Sequence, residues 1–435
     1  MGEAQGTFFE PEFNRSIKVQ TTEQRMTSHA GAVLLREVDH QLGLVESLGE
    51  EVLDPRNPDK IRYTATELLR ERIYAFALGS ENQDDLDRLA HDPAMRMATW
   101  DRPIVVHGAQ QGSSYNGYYR DTVYYPQVAS FSVHGDYDST REGHRLGNGF
   151  LHATLRQGQV HTAQGAQRFI QRVIEHARAM ARSFDLRLDA GYTIGRVLDE
   201  LSDHKVRFCG RLKKNAVLDR LAEPYLSRPP GRPPAGGYED VIELGNYQAE
   251  GWRHAQRLIL VVVDQPDPRT GQLNLLPRSF FLITNWPRTL RSGEEVLAHY
   301  RRRGTFEDRL GEFQEAIRPH LSSREFVDNE VTMLLALLAF NLTSMLRNEF
   351  EDAIGGCWDL PRFQQSVLRA GGRVVKHARR LWLHVEQSVG PFWQVMIDRI
   401  GQLRLASRWR PPRGARRRDW VSPPSHAHLA LVLRD

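Results

Sequence analysis

Residues 300–314 read Y-R-R-R-G-T-F-E-D-R-L-G-E-F-Q, and the spacing inside this stretch decides how the rest of the chain is read. Two residues separate Tyr300 from Arg303, three separate Arg303 from Glu307, and six separate Glu307 from Gln314. In one continuous helix, at roughly 100° per residue, these four side chains fall within about 60° of one another. Phe306, Leu310, Phe313 and Ile317 form a separate apolar stripe at helical spacing. The pattern predicts a single helix that packs along that stripe and offers a tyrosine, an arginine and a carboxylate at its margin. Glu312 lies on another side, which leaves Glu307 as the carboxylate expected to reach a site.

The spacing Y-x2-R-x3-E, followed after six residues by Gln314 in place of Lys, resembles the signature of the DDE transposases of bacterial insertion sequences. Further stretches carry the same likeness: I-V-V-H-G-A-Q-Q-G-S-S-Y-N-G-Y-Y at 104–119, V-H-T-A-Q-G-A at 160–166 and R-L-D-A-G-Y at 187–192. The likeness runs from about Gly31 to the C-terminus. It implies an α/β protein: a ribonuclease-H-like catalytic domain with a β-rich insertion, flanked by N-terminal and C-terminal helical regions.

Bulk composition sets looser bounds. A chain of 435 residues is expected to divide into two to four domains. Two cysteines, Cys209 and Cys357, exclude a disulfide framework and a cysteine-based zinc site. The N-terminus lacks a basic-then-apolar leader pattern, and the longest apolar run, 331–346, is interrupted by Asn341, Thr343 and Ser344. No export and no membrane are expected; the resemblance implies a bacterial cytoplasmic, nucleoid-associated protein. Net charge is only +4, but between Pro361 and Trp420 thirteen arginines and Lys376 face three acidic residues, Glu386, Asp398 and Asp419. Guanidinium groups grip phosphates through two parallel N–H bonds, so Arg379, Arg380, Arg416 and Arg417 are candidate DNA contacts. A solvated basic tail is the plainer alternative.

Five regions follow along the chain. Residues 1–98 are expected as an N-terminal helical, DNA-binding region, with helical periodicity over 32–98 broken by Pro55 and Pro58 and a loose first 25 residues. Residues 99–212 alternate strand and helix patterns, as the first part of the catalytic α/β sheet does in the resemblance. Residues 213–290 contain the S-R-P-P-G-R-P-P-A-G-G connector at 227–237 followed by three strands, the β-rich insertion. Residues 291–350 supply the helices carrying Glu307, and 351–435 form a basic C-terminal helical region. Trp252 and Trp286 in the insertion are candidates for base stacking, with core packing the better expectation.

The resemblance implies phosphoryl transfer on double-stranded DNA, at terminal inverted repeats and at a target, by a homodimer holding two ends in a synaptic complex. In that chemistry Mg²⁺ or Mn²⁺ ions, about 3.5–4 Å apart, stabilise the entering and leaving oxygens, and such hard cations take carboxylate ligands. Asp189 follows Leu186-Arg187-Leu188 and precedes Ala190-Gly191, a strand end from which a carboxylate emerges at the sheet edge. By resemblance it is the second metal ligand and Glu307 the third. Tyr300, Arg303 and Gln314 would then contact the DNA backbone. An Asp at a strand end also serves as a turn former, and Glu307 as a helix-surface residue among alternating charges. His107 opens a glycine-rich landmark and is assigned no step.

The first carboxylate is the departure. The resemblance calls for an Asp a few residues before Ile104, on a strand preceded by several dozen residues that are missing here, because 97–103 (M-A-T-W-D-R-P) runs straight into Ile104. Asp101 is the acidic residue nearest that place, but one step out of register, which in a strand reverses the face. Two readings stay open: a working transposase that cuts and joins DNA, or a remnant that only binds terminal repeats. A structure-specific nuclease using the same carboxylates is a weaker third.

Overall fold

A computed structural model describes residues 25–56, 63–80, 89, 92–99, 114–116, 121–123, 127–134, 149–157, 160, 164–181, 183–228, 237–266, 277–302, 304–354, 358–377, 380–387, 389–402 and 428–434. The first part of the chain holds β1 (Arg25–Thr27), α1 (Ala32–Leu42), α2 (Leu44–Glu51), α3 (Ala65–Ala77), α4 (Pro93–Thr99), β2 (Ser114–Asn116) and β3 (Asp121–Val123). Next come β4 (Gln127–His134), β5 (Gly149–Thr154), α5 (Ala166–Met180), β6 (Ser183–Leu188), α6 (Gly195–Asp203), β7 (Arg207–Leu212) and α7 (Ala216–Ala222). They are followed by β8 (Tyr238–Tyr247), β9 (Gln256–Asp264), β10 (Arg278–Thr284), α8 (Gly293–Arg301), α9 (Gly304–Ala316) and α10 (Phe326–Ile354). The last are β11 (Gly372–His377), β12 (Arg380–Val385), α11 (Gly390–Gln402) and β13 (His428–Arg434). The chain is mixed α/β and divides into two compact units, 1–105 with 349–407 and 106–348 with 408–435.

In the first unit, helical periodicity yields α1 to α4 where the sequence places it. Gly43 ends α1 and starts α2 at φ +63°, a left-handed conformation that glycine adopts without strain. A capping box of Thr64 and Glu67 starts α3. At the centre Asp39, 1% exposed, accepts from the Val45 N–H at 2.8 Å, Arg70 Nε at 3.1 Å and the Tyr74 hydroxyl at 2.8 Å. Burial first, and then the neighbouring Asp39 carboxylate, push the Tyr74 pKa up.

The C-terminal region corrects an expectation. Residues 351–435 are not a helical region throughout: β11 and β12 form a hairpin that pairs with β1. Gln364 Nε2 and Arg369 Nε then donate to the Ala77 and Leu78 carbonyls at the end of α3. The arginine content of this region specifies no backbone conformation, and V-V-K-H followed by L-W-L-H-V is a strand pair.

The second unit is built on an eight-stranded sheet of order β5-β4-β13-β6-β7-β10-β9-β8. β13, β6 and β7 run parallel as its centre; all other pairings are antiparallel. One face is covered by α5, α6 and α7, whose Phe169, Ile170, Val173, Val197, Leu198 and Leu218 meet Leu186, Leu188 and Phe208. The other face meets α8 through Cys209, Ile259, Val261 and Leu282 packed on Val296, Leu297 and Tyr300. The strands of 213–290, expected as an insertion, continue this sheet through β10, whose Phe281 pairs with Leu212 and Thr284 with Cys209. β9 is apolar on both faces from Leu258 to Val262, so it needs cover on both sides and sits inside a sheet. Trp286 is buried in the α8-facing core, and Trp252 stands edge-on to Tyr247 against Gly195, so both pack.

Within α10, the stretch Phe326–Asn348 is long and apolar enough to cross a membrane by length and composition, and 56% of its apolar window is buried. One of its polar interruptions has structural work. Asn341 accepts from the Phe150 N–H at 2.8 Å and donates to the Phe150 carbonyl at 2.7 Å, pinning β5.

Candidate functional site

The parallel centre fixes where carboxylates can gather. β13, β6 and β7 end at the same sheet edge, and Asp189 is the residue immediately after β6. Its half-buried side chain accepts the Ala190 N–H at 2.9 Å, while its carbonyl accepts the Tyr192 N–H at 2.9 Å. Thr193 holds the turn by donating to the Arg211 carbonyl at 2.9 Å. Gly210 is needed beside it, because a Cβ there would stand 2.6 Å from the Thr193 methyl group. Register carries the geometry one step further. Leu188 pairs with Gly210 and with Leu433, so the next residues place Arg211 on one side of Asp189 and Arg434 on the other.

The helix bearing Glu307 differs from the expectation. Residues 300–317 are not one helix: α8 ends at Arg301, Arg302 makes a turn, and α9 starts at Gly304. The interruption coincides with Gly304, the weakest helix former in the run. Tyr300 and Glu307 therefore lie on different helices, and the common face inferred from continuous helical spacing does not exist. Tyr300 is 8% exposed and packs in the core beneath α8. Glu307 is exposed in the first turn of α9, and Gln314 is exposed further along it. Glu312 pairs with Arg309 at 2.6 Å and Arg347 at 2.8 Å, as suits a structural residue.

The break still delivers α9 to the right face. At the end of α8, Arg301 holds Glu239, whose position at the start of β8 belongs to the same sheet edge as Asp189. Further on, Phe313 of α9 stands edge-on to Phe150 of β5 at 5.5 Å. Phe150 shares a row across the sheet with Ser130, Val432, Arg187 and Cys209, so α9 covers the face that carries Arg187. Asp189 follows Arg187 by two residues, the period of a strand face.

That face is rich in cations. Arg187 is fully buried, and none of its three guanidinium nitrogens has a hydrogen-bond partner among the described residues. Burial lowers its pKa; Cys209 and Asp185 oppose the shift, whereas Arg302 and Arg291 add to it. Arg291 lies 3.7 Å from the Asp185 carboxylate and 4.3 Å over the Trp286 ring. Burial pushes the Cys209 thiol up to about 12, which makes it inert at neutral pH. Arg211, Lys213, Lys214 and Arg278 are exposed on the Asp189 edge. A cavity of about 540 Å³ lies at the opposite edge, lined by Arg207, Asn246, Gln256, Arg257 and Asn285, away from Asp189.

Asp101, Arg303, Arg379, Arg416, Arg417 and His107 lie outside the described residues. Arg380 opens β12, and only its backbone is described. Among the described residues no group of three or more His, Cys, Asp or Glu side chains is placed to hold a metal ion. Carboxylates of Asp189 and Glu307 have the oxygen chemistry a hard cation takes, and two of them suit one ion more readily than a bridged pair. Sequence reading missed Arg187, Arg211 and β13. The H-L-A-L-V-L-R run of β13 was the available signal, since its apolar residues suit a buried parallel strand.

A family model described as Transposase DDE domain group 1 matches residues 9–105 and 101–405. A solved structure titled as a piggyBac transposase synaptic complex with hairpin DNA is similar over 89% of this chain and 85% of that chain, at 10% identity and a TM-score of 0.36. No curated protein matches the chain.

Proposed function

The chain belongs to the family of transposases with a group 1 DDE domain, and from that premise we propose that it binds the ends of a bacterial insertion sequence and acts on their phosphodiester backbone. Transposition of DNA is the function of the family, and its members work with divalent metal ions. The finer reading rests on one observation: Asp189 stands at the edge where three parallel strands end, and α9, with Glu307 in its first turn, covers the same face. The run β5-β4-β13-β6-β7, antiparallel and then parallel, supports reading this core as ribonuclease-H-like.

In this reading Asp189 and Glu307 would hold the cation, Mg²⁺ or Mn²⁺, which when bound supplies charge neutralisation at the reacting phosphate. The chain's own contribution is positional. Asp189 is fixed by the Ala190 N–H and by the turn that Thr193 ties to β7. Arg211 and the neighbouring lysines supply positive charge where a phosphate backbone would run. A homodimer holding two ends in the cytoplasm completes the proposal.

A second reading, binding without cutting, is favoured by β13. The place beside and parallel to β6 is filled by the C-terminal strand, which sets Arg434 next to Asp189 where a further carboxylate would stand. Strand transfer from a labelled terminal repeat in Mg²⁺ separates the readings. Joined product supports cutting and joining, bound but uncut DNA supports the remnant, and cut but unjoined DNA supports a nuclease. Absence of any DNA binding would remove both main readings.

A further inference from the structure

Arg187 is a buried cation. It lies at the centre of the second unit's sheet, between Val432 and Cys209 in register, with no solvent exposure and no acceptor among the described residues for any guanidinium nitrogen. The acid nearest along the strand, Asp185, is already engaged by Arg291 at 3.7 Å. A guanidinium taken out of water with nothing to bond is strongly unfavourable, so an orphan of this kind calls for an explanation. Two features say what the partner is. Arg187 is in β6 and Asp189 follows its last residue, Leu188; two residues of extended chain span about 6.6 Å, and an extended arginine side chain covers a similar distance. The length of the side chain is therefore enough to reach from Arg187 to the Asp189 edge. At that edge Arg211, Lys213, Lys214 and Arg278 are exposed, with Arg211 beside Asp189 and on the same face as Arg187. An anion is what this set of charges accommodates.

We infer that Arg187, with Arg211 at the rim, forms a grip for a phosphate-class oxyanion at the Asp189 edge, and that Arg187 is stored unpaired beneath that edge until the oxyanion binds. The planar fork of a guanidinium meets two phosphate oxygens at once, which a lysine cannot reproduce. The oxyanion is a backbone phosphodiester of DNA, in which case the inference rests on the proposed function, or a free phosphate, in which case it does not.

Both sources are tested with the full chain and its Arg187→Met, Arg187→Lys and Arg211→Ala variants. Phosphate contacts carry no sequence information, so a short labelled duplex of arbitrary sequence serves as probe. With Arg187→Met or Arg211→Ala, affinity at low salt falls about tenfold, and the slope of log affinity against log salt shrinks by about 0.9 each. Arg187→Lys keeps the slope and loses part of the affinity. In parallel, inorganic phosphate replaces chloride at equal ionic strength while thermal unfolding is followed. A higher midpoint for wild type, absent in Arg187→Met, identifies free phosphate as a ligand. Arg187→Met melts no lower than wild type in chloride, because it removes an unpaired buried charge. Unchanged slopes together with no phosphate effect overturn the inference. So does a loss in Arg187→Met that vanishes in a Glu307→Gln background, which would mark an internal ion pair. If Arg187→Met does not fold, Arg187→Lys and Arg211→Ala carry the same comparison. A wild-type chain that binds no duplex refutes the proposed function instead, leaving the free-phosphate arm to decide this inference alone.

Discussion

Leu433 pairs in register with Leu188, so the last described strand of the chain runs parallel to the strand that ends at Asp189. A central place in a sheet is filled from the far end of the sequence. On its other side the same strand pairs with β4, from His428 against His134 to Arg434 against Val128. Both ladders of hydrogen bonds depend on it, and Asp189 is positioned by its neighbour on that side as much as by β7.

Substituting Leu431 by proline tests the role of β13. Proline removes a ladder N–H from a strand bonded on both sides, which a central strand does not tolerate. Thermal unfolding of Leu431→Pro is expected to show a large drop in midpoint for the second unit. A variant that melts like wild type would mean that β13 contributes no central strand.

DNA binding should depend steeply on salt. Each phosphate neutralised releases counterions, giving a slope of about −0.9 per contact. Alanine at Arg379, Arg380, Arg416 or Arg417 is expected to weaken binding across all sequences and to flatten the slope. Fluorescence titration across a salt series measures both. Affinity that is the same at low and high salt would take the C-terminal basic region out of the account.

A histidine pair makes stability depend on acidity. The His152 ring of β5 lies 5.3 Å from the His176 ring of α5 at a 45° tilt, and burial first, then the His176 and Arg172 charges, lower its pKa to about 4. The folded state binds this proton less readily than the unfolded chain. The stabilisation is therefore present above the unfolded value near 6.5 and is lost as pH falls towards the folded value. The difference amounts to roughly 2–3 kcal/mol between pH 7 and pH 4. In a His152→Phe variant the thermal midpoint should fall less steeply over that interval. Identical pH profiles for the two proteins would show that His152 stays solvated.

How much of this was legible in the sequence depends on range. Local patterns carry far: the helical spacing of Leu34, Leu35 and Val38 gives α1, the amphipathic pattern over 165–183 gives the helix at 166–180, and the apolar run from Val206 to Leu212 gives β7. Asp189 was placed correctly at a strand end because three apolar-flanked residues and a small pair define that end locally. The Tyr300–Gln314 face failed for a local reason too, since Gly304 was not weighed as a break in the helix. β13 failed for a different one. Seven apolar-rich residues show that a strand can form, but a parallel pairing across more than two hundred residues of chain leaves no trace in spacing. Arg187 was invisible as a site residue because a missing partner is a property of the folded core.

The central claim is that Asp189 and Glu307 form one carboxylate pair, their oxygens within about 4–8 Å of each other when a metal is shared. Asp189→Cys with Glu307→Cys, made in a Cys357→Ser background with the buried Cys209 kept, tests it through thiol cross-linking under mild oxidation. The account predicts an intramolecular disulfide or its short bismaleimide equivalent, seen as a mobility shift that neither single cysteine gives. Two thiols that are both freely labelled yet never cross-link would contradict it.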